Sequence, residues 1–186
     1  VVAAAGARFA GVHYYDGHLD STSCAEAYDE LVKSVLPRLP LDGTRFGAAR
    51  EVPRVTSGTP TFEGALRYDW AGAPHQISPG TVVFTDVRTL SQVSEAVGLQ
   101  PAALVLCRAV SRPAADVVTL DVGSKSVAAE VGDPCVAVVG RPELEPLKPS
   151  EEHLPVRLPP GASPIERNTP LLVSPVHVCP TVNLAE

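Results

Sequence analysis

The sequence contains no methionine, a single tryptophan, and aromatic residues at only 5% of its 186 positions. A translated chain starts on methionine whereas this one starts Val1-Val2, so the expectation is that these residues are not a whole gene product. Positive charge is scarce: 15 Lys and Arg stand against 21 Asp and Glu, for a net charge of -6. Binding a phosphate backbone needs clustered cations, and the basic residues form no run, so a nucleic-acid partner is not expected. Long apolar runs are missing too. Ala102–Cys107 and Val136–Val139 fall far short of the roughly 20 residues of a membrane helix, so no membrane partner is expected. Val1–Ala5 is apolar but has no charged region before it and is not read as a signal peptide. The cysteines Cys24, Cys107, Cys135 and Cys179 show no C-x-x-C spacing, and a disulfide framework is not expected at this size without a secretory signal. The default location is therefore cytoplasmic. Gly-x-Ser-x-Gly, the Rossmann glycine fingerprint and His-Glu-x-x-His are all absent, which leaves the common hydrolase, dehydrogenase and protease readings without support.

Proline, in contrast, is abundant at 19 residues, about twice the usual share, as expected of short strands joined by firm turns. Phe9–Tyr15 reads as a strand. Ser23 with Glu26 reads as a capping box, followed by a helix with Ala27, Leu31, Val35 and Leu39 on one face and Pro37 and Pro40 closing it. Glu51–Val55 reads as a second strand running into a polar glycine loop. Strand, helix, strand, glycine loop is the pattern of a β/α unit in a parallel sheet or barrel. From about Pro79 the texture changes. Thr81–Phe84, Ala103–Val110, Asp116–Val122, Ser126–Val131, Cys135–Val139, Val156–Leu158 and Leu171–Val178 read as short strands separated by turns such as Gly132-Asp133-Pro134. The expectation is an α+β chain: the last β/α units of a TIM-type barrel over residues 1–78, then an antiparallel β domain, barrel or sandwich, over residues 79–186.

Several segments could carry chemistry. On a strand, His177 and Cys179 would project to the same side, and imidazole with thiolate can grip a borderline-soft cation such as zinc. The alternative is a buried cysteine beside a hydrogen-bonded histidine. Ser57-Gly58-Thr59-Pro60-Thr61, after a strand, offers hydroxyls and backbone N–H groups to a phosphate, or is an ordinary turn. It lacks the Gly-Lys-Ser/Thr of a P-loop. Tyr14-Tyr15-Asp16-Gly17-His18 ends a barrel-type strand, where active-site groups sit. Leu120–Lys125 reads as a hairpin with a solvated charge, and Glu151-Glu152-His153 as a solvated acidic loop.

Taken in order, Tyr15-Asp16-Gly17-His18, Ser57–Thr61, Pro79-Gly80-Thr81 with Phe84 and Asp86, Leu120–Lys125, Glu151-Glu152-His153 and the closing His177–Leu184 resemble the D-serine dehydratase and D-threonine aldolase family, pyridoxal-phosphate enzymes of the alanine racemase-like fold. That resemblance implies a metal- and pyridoxal 5'-phosphate-dependent lyase acting on a β-hydroxy D-amino acid, by dehydration or by retro-aldol cleavage. It implies that Ser57, Gly58 and Thr59 bind the cofactor phosphate, that Tyr15 and His18 line the pocket, and that His177 and Cys179 hold a divalent metal. A thiolate ligand favours zinc over magnesium or manganese. Val82 departs from the aromatic residue many relatives have there.

The family's chain is about twice this length, and its Schiff-base lysine lies in the first half of the barrel. None of Lys33, Lys125 and Lys148 matches it, so no catalytic residue of that kind is expected in this chain. The resemblance therefore implies a C-terminal half, inactive alone, that forms a homodimer or is complemented by an N-terminal barrel half. The alternative is a non-catalytic β module that binds metal or associates with a barrel chain.

Overall fold

The computed structural model describes residues 9–42 and 44–185, so the Val1–Ala5 segment lies outside the described residues. The chain divides into two compact units, one ending at Gly80 and one starting at Thr81. Each is built differently.

In the first unit three short strands, β1 (Val12–Tyr14), β2 (Arg54–Thr56) and β3 (His75–Ile77), form a parallel sheet in sequential order. Helix α1 (Cys24–Glu30) joins β1 to β2, and α2 (Phe62–Arg67) joins β2 to β3. These are the expected β/α units. Their apolar contact is a small cluster of Cys24, Tyr28 and Ala65, with Tyr14, Tyr68 and Trp70 packed against it. Tyr28, Tyr68 and Trp70 meet with ring centroids 4.6–5.3 Å apart, so three rings supply the core that few aliphatic side chains provide.

The helix after β1 departs from its expected period. Beyond α1 the chain widens into a π-helix over Leu31–Val35 and tightens to a 3-10 turn over Leu36–Arg38. Widening shifts the buried face by one residue: Leu31 and Leu36 are buried, whereas Val35 is 44% exposed. The capping box is also absent. Ser23 is already helical and its side chain caps nothing; instead Asp20 Oδ1 accepts the backbone N–H groups of Thr22 and Ser23, each at 2.8 Å. The carboxylate preceding the serine wins because it reaches both amides at once. The strand expected at Phe9–Tyr15 shortens to β1, and that expected at Glu51–Val55 begins three residues later as β2, after a 3-10 turn over Ala49–Glu51.

The second unit is a six-stranded antiparallel sheet made of β4 (Val105–Ala114), β5 (Val117–Leu120), β6 (Val136–Val138), β7 (Glu145–Pro146), β8 (Leu154–Arg157) and β9 (Pro170–Pro175), ordered β6-β9-β4-β5-β8-β7. Its edge strands β6 and β7 approach one another, so the sheet curls almost into a barrel. β4 makes this possible. Its first half pairs with β9 and its second half with β5, the latter pairing with register shifts between Ala109 and Ser111 and between Ser111 and Ala114. Inward positions alternate along the strands: Val118 pairs with Val156 and Leu120 with Leu154, and all four are at most 1% exposed. Each such side chain contributes roughly 1.5–3 kcal/mol on burial.

Two expected strands are not strands. Thr81–Val83 is a 3-10 turn, closed by Thr85 N–H on the Thr81 carbonyl at 2.8 Å, because Thr85 adopts a left-handed φ of 49° that ends any extended run. Ser126–Val131 is a series of turns, in which the N–H groups of Ser126 and Val127 both return to the Gly123 carbonyl. Its consecutive Val127 and Ala128 are both buried, which no strand facing solvent on one side allows. Two helices break the β texture: α3 (Val87–Gln92) and α4 (Val178–Leu184).

All tyrosines and the single tryptophan lie before Ala71, so tryptophan and tyrosine fluorescence report on the first unit only. Followed by far-UV circular dichroism, Leu154→Ala is expected to destabilise the second unit by about 2–5 kcal/mol. Leu106→Ala, at a position 63% exposed, is expected to stay within about 0.5 kcal/mol.

Candidate cofactor and metal sites

In the first unit, the candidate phosphate loop follows β2 directly, at the carboxyl end of a parallel strand. Ser57 is fully buried with a left-handed φ of 69°, and its hydroxyl donates to the Thr56 carbonyl at 2.7 Å. Gly58 must be glycine: a Cβ there would come within 2.8 Å of Gly17 Cα and 3.2 Å of Tyr15 Cε2. The loop thus lies against the segment that ends β1, and Tyr15, Gly17 and Gly58 converge. Tyr15 is otherwise 67% exposed. His18 is also exposed, in a turn closed by Leu19 N–H on the Asp16 carbonyl at 2.9 Å. Thr59 is buried beside Ser57 and Gly58.

Asp16 holds this arrangement together. Wholly buried, it accepts from Tyr28 Oη at 2.5 Å, from Gly58 N–H at 2.8 Å and from Thr61 Oγ1 at 2.5 Å. Burial, and then the hydrogen bond to Asp16, push the Tyr28 phenol far above the ordinary range. Tyr68 is pushed up to about 12 by burial and by its bond to Asp29. The amide of Gly58 and the hydroxyl of Ser57 are both already donated, and the space of the missing Cβ is taken by Gly17 and Tyr15, so these groups would meet a phosphate only by exchanging those partners. Sequence reasoning had Asp16 inside a motif but gave it no role; the signal was a lone carboxylate at the end of a strand, followed by glycine.

In the second unit, the strand expected to carry His177 and Cys179 stops at Pro175. His177 precedes α4 in an extended conformation (φ −131°, ψ 109°), and Cys179 sits in the first turn of that helix. Strand alternation therefore does not pair them; they flank Val178 across the helix start. Cys179 is a free, exposed thiol with Thr81 Oγ1 at 3.8 Å. The His177 ring is half-buried, with Nδ1 2.6 Å from Glu130 Oε1. Among the described residues no third histidine, cysteine or carboxylate gathers with them into a metal cluster. Imidazole nitrogen plus thiol sulfur is nonetheless the donor chemistry of a borderline-soft cation, so the pair fits such an ion as a two-donor set.

The helix start is fixed by Asp86, which is buried. Its Oδ1 accepts the Thr89 N–H at 2.7 Å, capping α3, and its Oδ2 accepts the Val178 N–H at 2.8 Å, at the first residue of α4. The strained Thr85 beside it aims this carboxylate. Thr181 Oγ1 donates to the His177 carbonyl at 3.1 Å. Asp86 was legible only as a motif member; its capping of α3 and its reach to position 178 were not.

Elsewhere, Leu120–Lys125, expected as a hairpin, is instead the turn that leaves β5, whose neighbours are β4 and β8. Gly123 packs so closely on Glu151 that a Cβ would overlap its carbonyl, and Lys125 pairs with Glu151 at 3.1 Å and Glu152 at 2.9 Å. Lys33 pairs with Asp29 at 2.7 Å.

Residues 102–186 match the family described as the putative serine dehydratase domain. The resemblance to the D-serine dehydratase and D-threonine aldolase family holds. Over 80 residues the chain is 44% identical to a D-threonine aldolase from Arthrobacter sp., a stretch covering 43% of this chain and 21% of that enzyme. The fold matches the crystal structure of D-threonine aldolase from Filomicrobium marinum (TM-score 0.73, 22% identity, 95% of this chain and 47% of that one). It also matches D-threo-3-hydroxyaspartate dehydratase from Delftia sp. HT23 (TM-score 0.63, 19% identity, 94% and 51%). The chain thus spans about half the length of these solved relatives. The fold is alanine racemase-like. The chain also matches two variant structures of D-threo-3-hydroxyaspartate dehydratase, one with a histidine replaced by alanine and one with a cysteine two positions further on replaced by alanine, the latter metal-free.

Removing the Asp16 carboxylate tests its place in the first unit. Asp16→Asn is expected to cost about 1–3 kcal/mol, read as a lower midpoint of the Trp70 fluorescence transition in urea. Alkali is expected to act in the same direction. An unfolded tyrosine ionises near 10, whereas folded Tyr68 keeps its proton to about 12 and Tyr28 beyond. Above pH 10 the native state therefore binds more protons than the unfolded one, and stability falls as pH rises. The same fluorescence midpoint should be lower at pH 11 than at pH 9.

Proposed function

We propose that this chain carries the C-terminal part of a pyridoxal-phosphate lyase acting on β-hydroxy D-amino acids, with His177 and Cys179 holding a divalent metal. The observation that carries the reading is a nitrogen and a sulfur donor two residues apart at the start of α4, within residues 102–186, which match the putative serine dehydratase domain family. The dehydratase variants add support, because their two replaced residues have the same types and the same spacing. The thiolate favours zinc over harder cations.

When bound, the two groups would supply an electron sink at the substrate Cα and Lewis acidity at its β-hydroxyl. The chain's own share is positional. Ser57 would exchange the Thr56 carbonyl for the cofactor phosphate, with Thr59 beside it, Gly58 would keep the loop close against Gly17 and Tyr15, and Tyr15 and His18, both exposed, would line the pocket. His177 and Cys179 would contribute one nitrogen and one sulfur and leave the remaining coordination positions to water and the substrate hydroxyl, an open set of the catalytic kind. Loss of hydroxide after Cα–H cleavage gives dehydration, and deprotonation of the same hydroxyl gives retro-aldol cleavage. Both reactions use these residues alike.

A second reading, a metal-binding β module without catalysis of its own, is favoured by the lysines. Lys33 and Lys125 are spent in exposed ion pairs, and none of the three stands in a motif of the first unit's loop. The two readings share the metal site and differ over the cofactor.

Zinc bound at equilibrium, measured by competition with a chromophoric chelator, should fall at least tenfold in affinity in His177→Ala and in Cys179→Ala. Equal affinity in both variants and the wild type would falsify the metal site. Pyridoxal phosphate added to the chain and reduced with borohydride should leave no lysine adduct by mass spectrometry; an adduct on Lys33, Lys125 or Lys148 overturns the expectation that this chain lacks the cofactor lysine.

A further inference from the structure

Glu130 is 47 residues distant in sequence from His177, yet its Oε1 lies 2.6 Å from Nδ1 of that ring. The approach is built into the fold on both sides. Glu130 ends the run of turns that begins at Gly123, where the N–H groups of Ser126 and Val127 return to the Gly123 carbonyl and Gly132 N–H closes on Ala129. Val127 anchors this run in the core with no exposure. A second tether runs parallel to the first: Ala128 N–H donates to Thr181 Oγ1 at 3.4 Å, and Thr181 Oγ1 donates to the His177 carbonyl at 3.1 Å. The Glu130 carboxylate therefore meets the ring across a segment already fastened to the backbone of His177. On the other flank, Asp86 holds the Val178 N–H.

A carboxylate only accepts hydrogen bonds, so the proton of this contact resides on Nδ1. In a neutral imidazole the other nitrogen then carries the free lone pair. Histidines that bind metals commonly donate their second N–H to a carboxylate, which sets both the tautomer and the plane of the ring. We propose that Glu130 is a positioning residue of the metal site: it accepts a hydrogen bond from Nδ1–H of His177, holds the proton on that nitrogen and so presents Nε2 as the ligand atom. This inference rests on the metal reading above and adds to it the atom that binds and the group that selects that atom.

The test has one arm without metal and one with it. In metal-free full-length chain labelled with ¹⁵N, the side-chain spectrum of His177 should show the Nδ1–H tautomer in wild type. In Glu130→Ala it should shift to Nε2–H, the form an unrestrained neutral imidazole prefers. Zinc affinity, measured by chelator competition, should fall about 10–100-fold in Glu130→Ala. Glu130→Gln keeps an acceptor for Nδ1–H and should recover most of the loss, a rescue that a merely structural role or a general loss of negative charge would not give. Glu130 is half exposed, and unchanged circular dichroism will confirm that the variants fold.

An Nε2–H tautomer in wild type overturns the proposal, as does wild-type zinc affinity in Glu130→Ala. If His177→Ala itself binds zinc as the wild type does, the metal site fails and takes this inference with it. If only the Glu130 variants are unchanged, the metal site stands without its positioning residue.

Discussion

The second unit's candidate site depends on the carboxylate of Asp86. It is buried, and each oxygen takes one backbone N–H from a different helix, Thr89 in α3 and Val178 at the start of α4. A hydrogen bond to a charged group contributes about 1.5–3 kcal/mol, but the larger effect is geometric. Helix starts leave N–H groups without partners, and α4 has no capping side chain of its own at His177. Proline at position 180 removes one orphan donor by having none, and Asp86 accepts another. The residue between the two candidate ligands is thereby pinned while the ligands themselves stay outward.

The first unit uses the same device. Asp16 is buried at the end of β1 and takes the amide of Gly58 in a loop that follows a different strand. In both units a short, stiff carboxylate reaches across the sequence to a backbone N–H in the segment that holds the candidate site. Aspartate suits this role: its two-torsion side chain loses little freedom on fixing, and its oxygens satisfy several donors at once. The left-handed residues lie beside these contacts, Ser57 next to Gly58 and Thr85 next to Asp86. Strain of that sort persists only where surrounding bonds over-determine the backbone.

What could be read from the sequence follows from range. The β/α succession, the antiparallel strands and most turns are local patterns of period and punctuation, and they emerge in the structure with ends moved by a few residues. The errors arise where a local pattern was overruled by something distant or by a single torsion. Val35 matched the helical period, but the π-helix moved the buried face to Leu36. Ser126–Val131 alternated like a strand, yet its amides fold back on Gly123, which sits hard against Glu151. His177 and Cys179 matched a strand because valines surround them, while Pro180 and Asp86 convert the segment to a helix start. The candidate ligands were legible as residue types in a motif. The groups that hold them, Glu130 and Asp86, were not, since each acts across 47 or 92 residues and no spacing rule covers such distances.

These long-range contacts also explain how so small a donor set could serve. A structural zinc site fills all its positions with protein ligands, and the metal itself then orders the loops that hold it. A site with two protein donors cannot rely on that, because an ion held at two points does not fix the backbone between them. The scaffold must order the donors first. Here the ring of His177 is oriented through Nδ1, its carbonyl is held by Thr181, and the next amide is held by Asp86. Cys179, at the exposed end, is left to meet solvent. That division, one donor locked and one open to water, is what a site needs if substrate oxygen is to enter and leave without the protein rearranging.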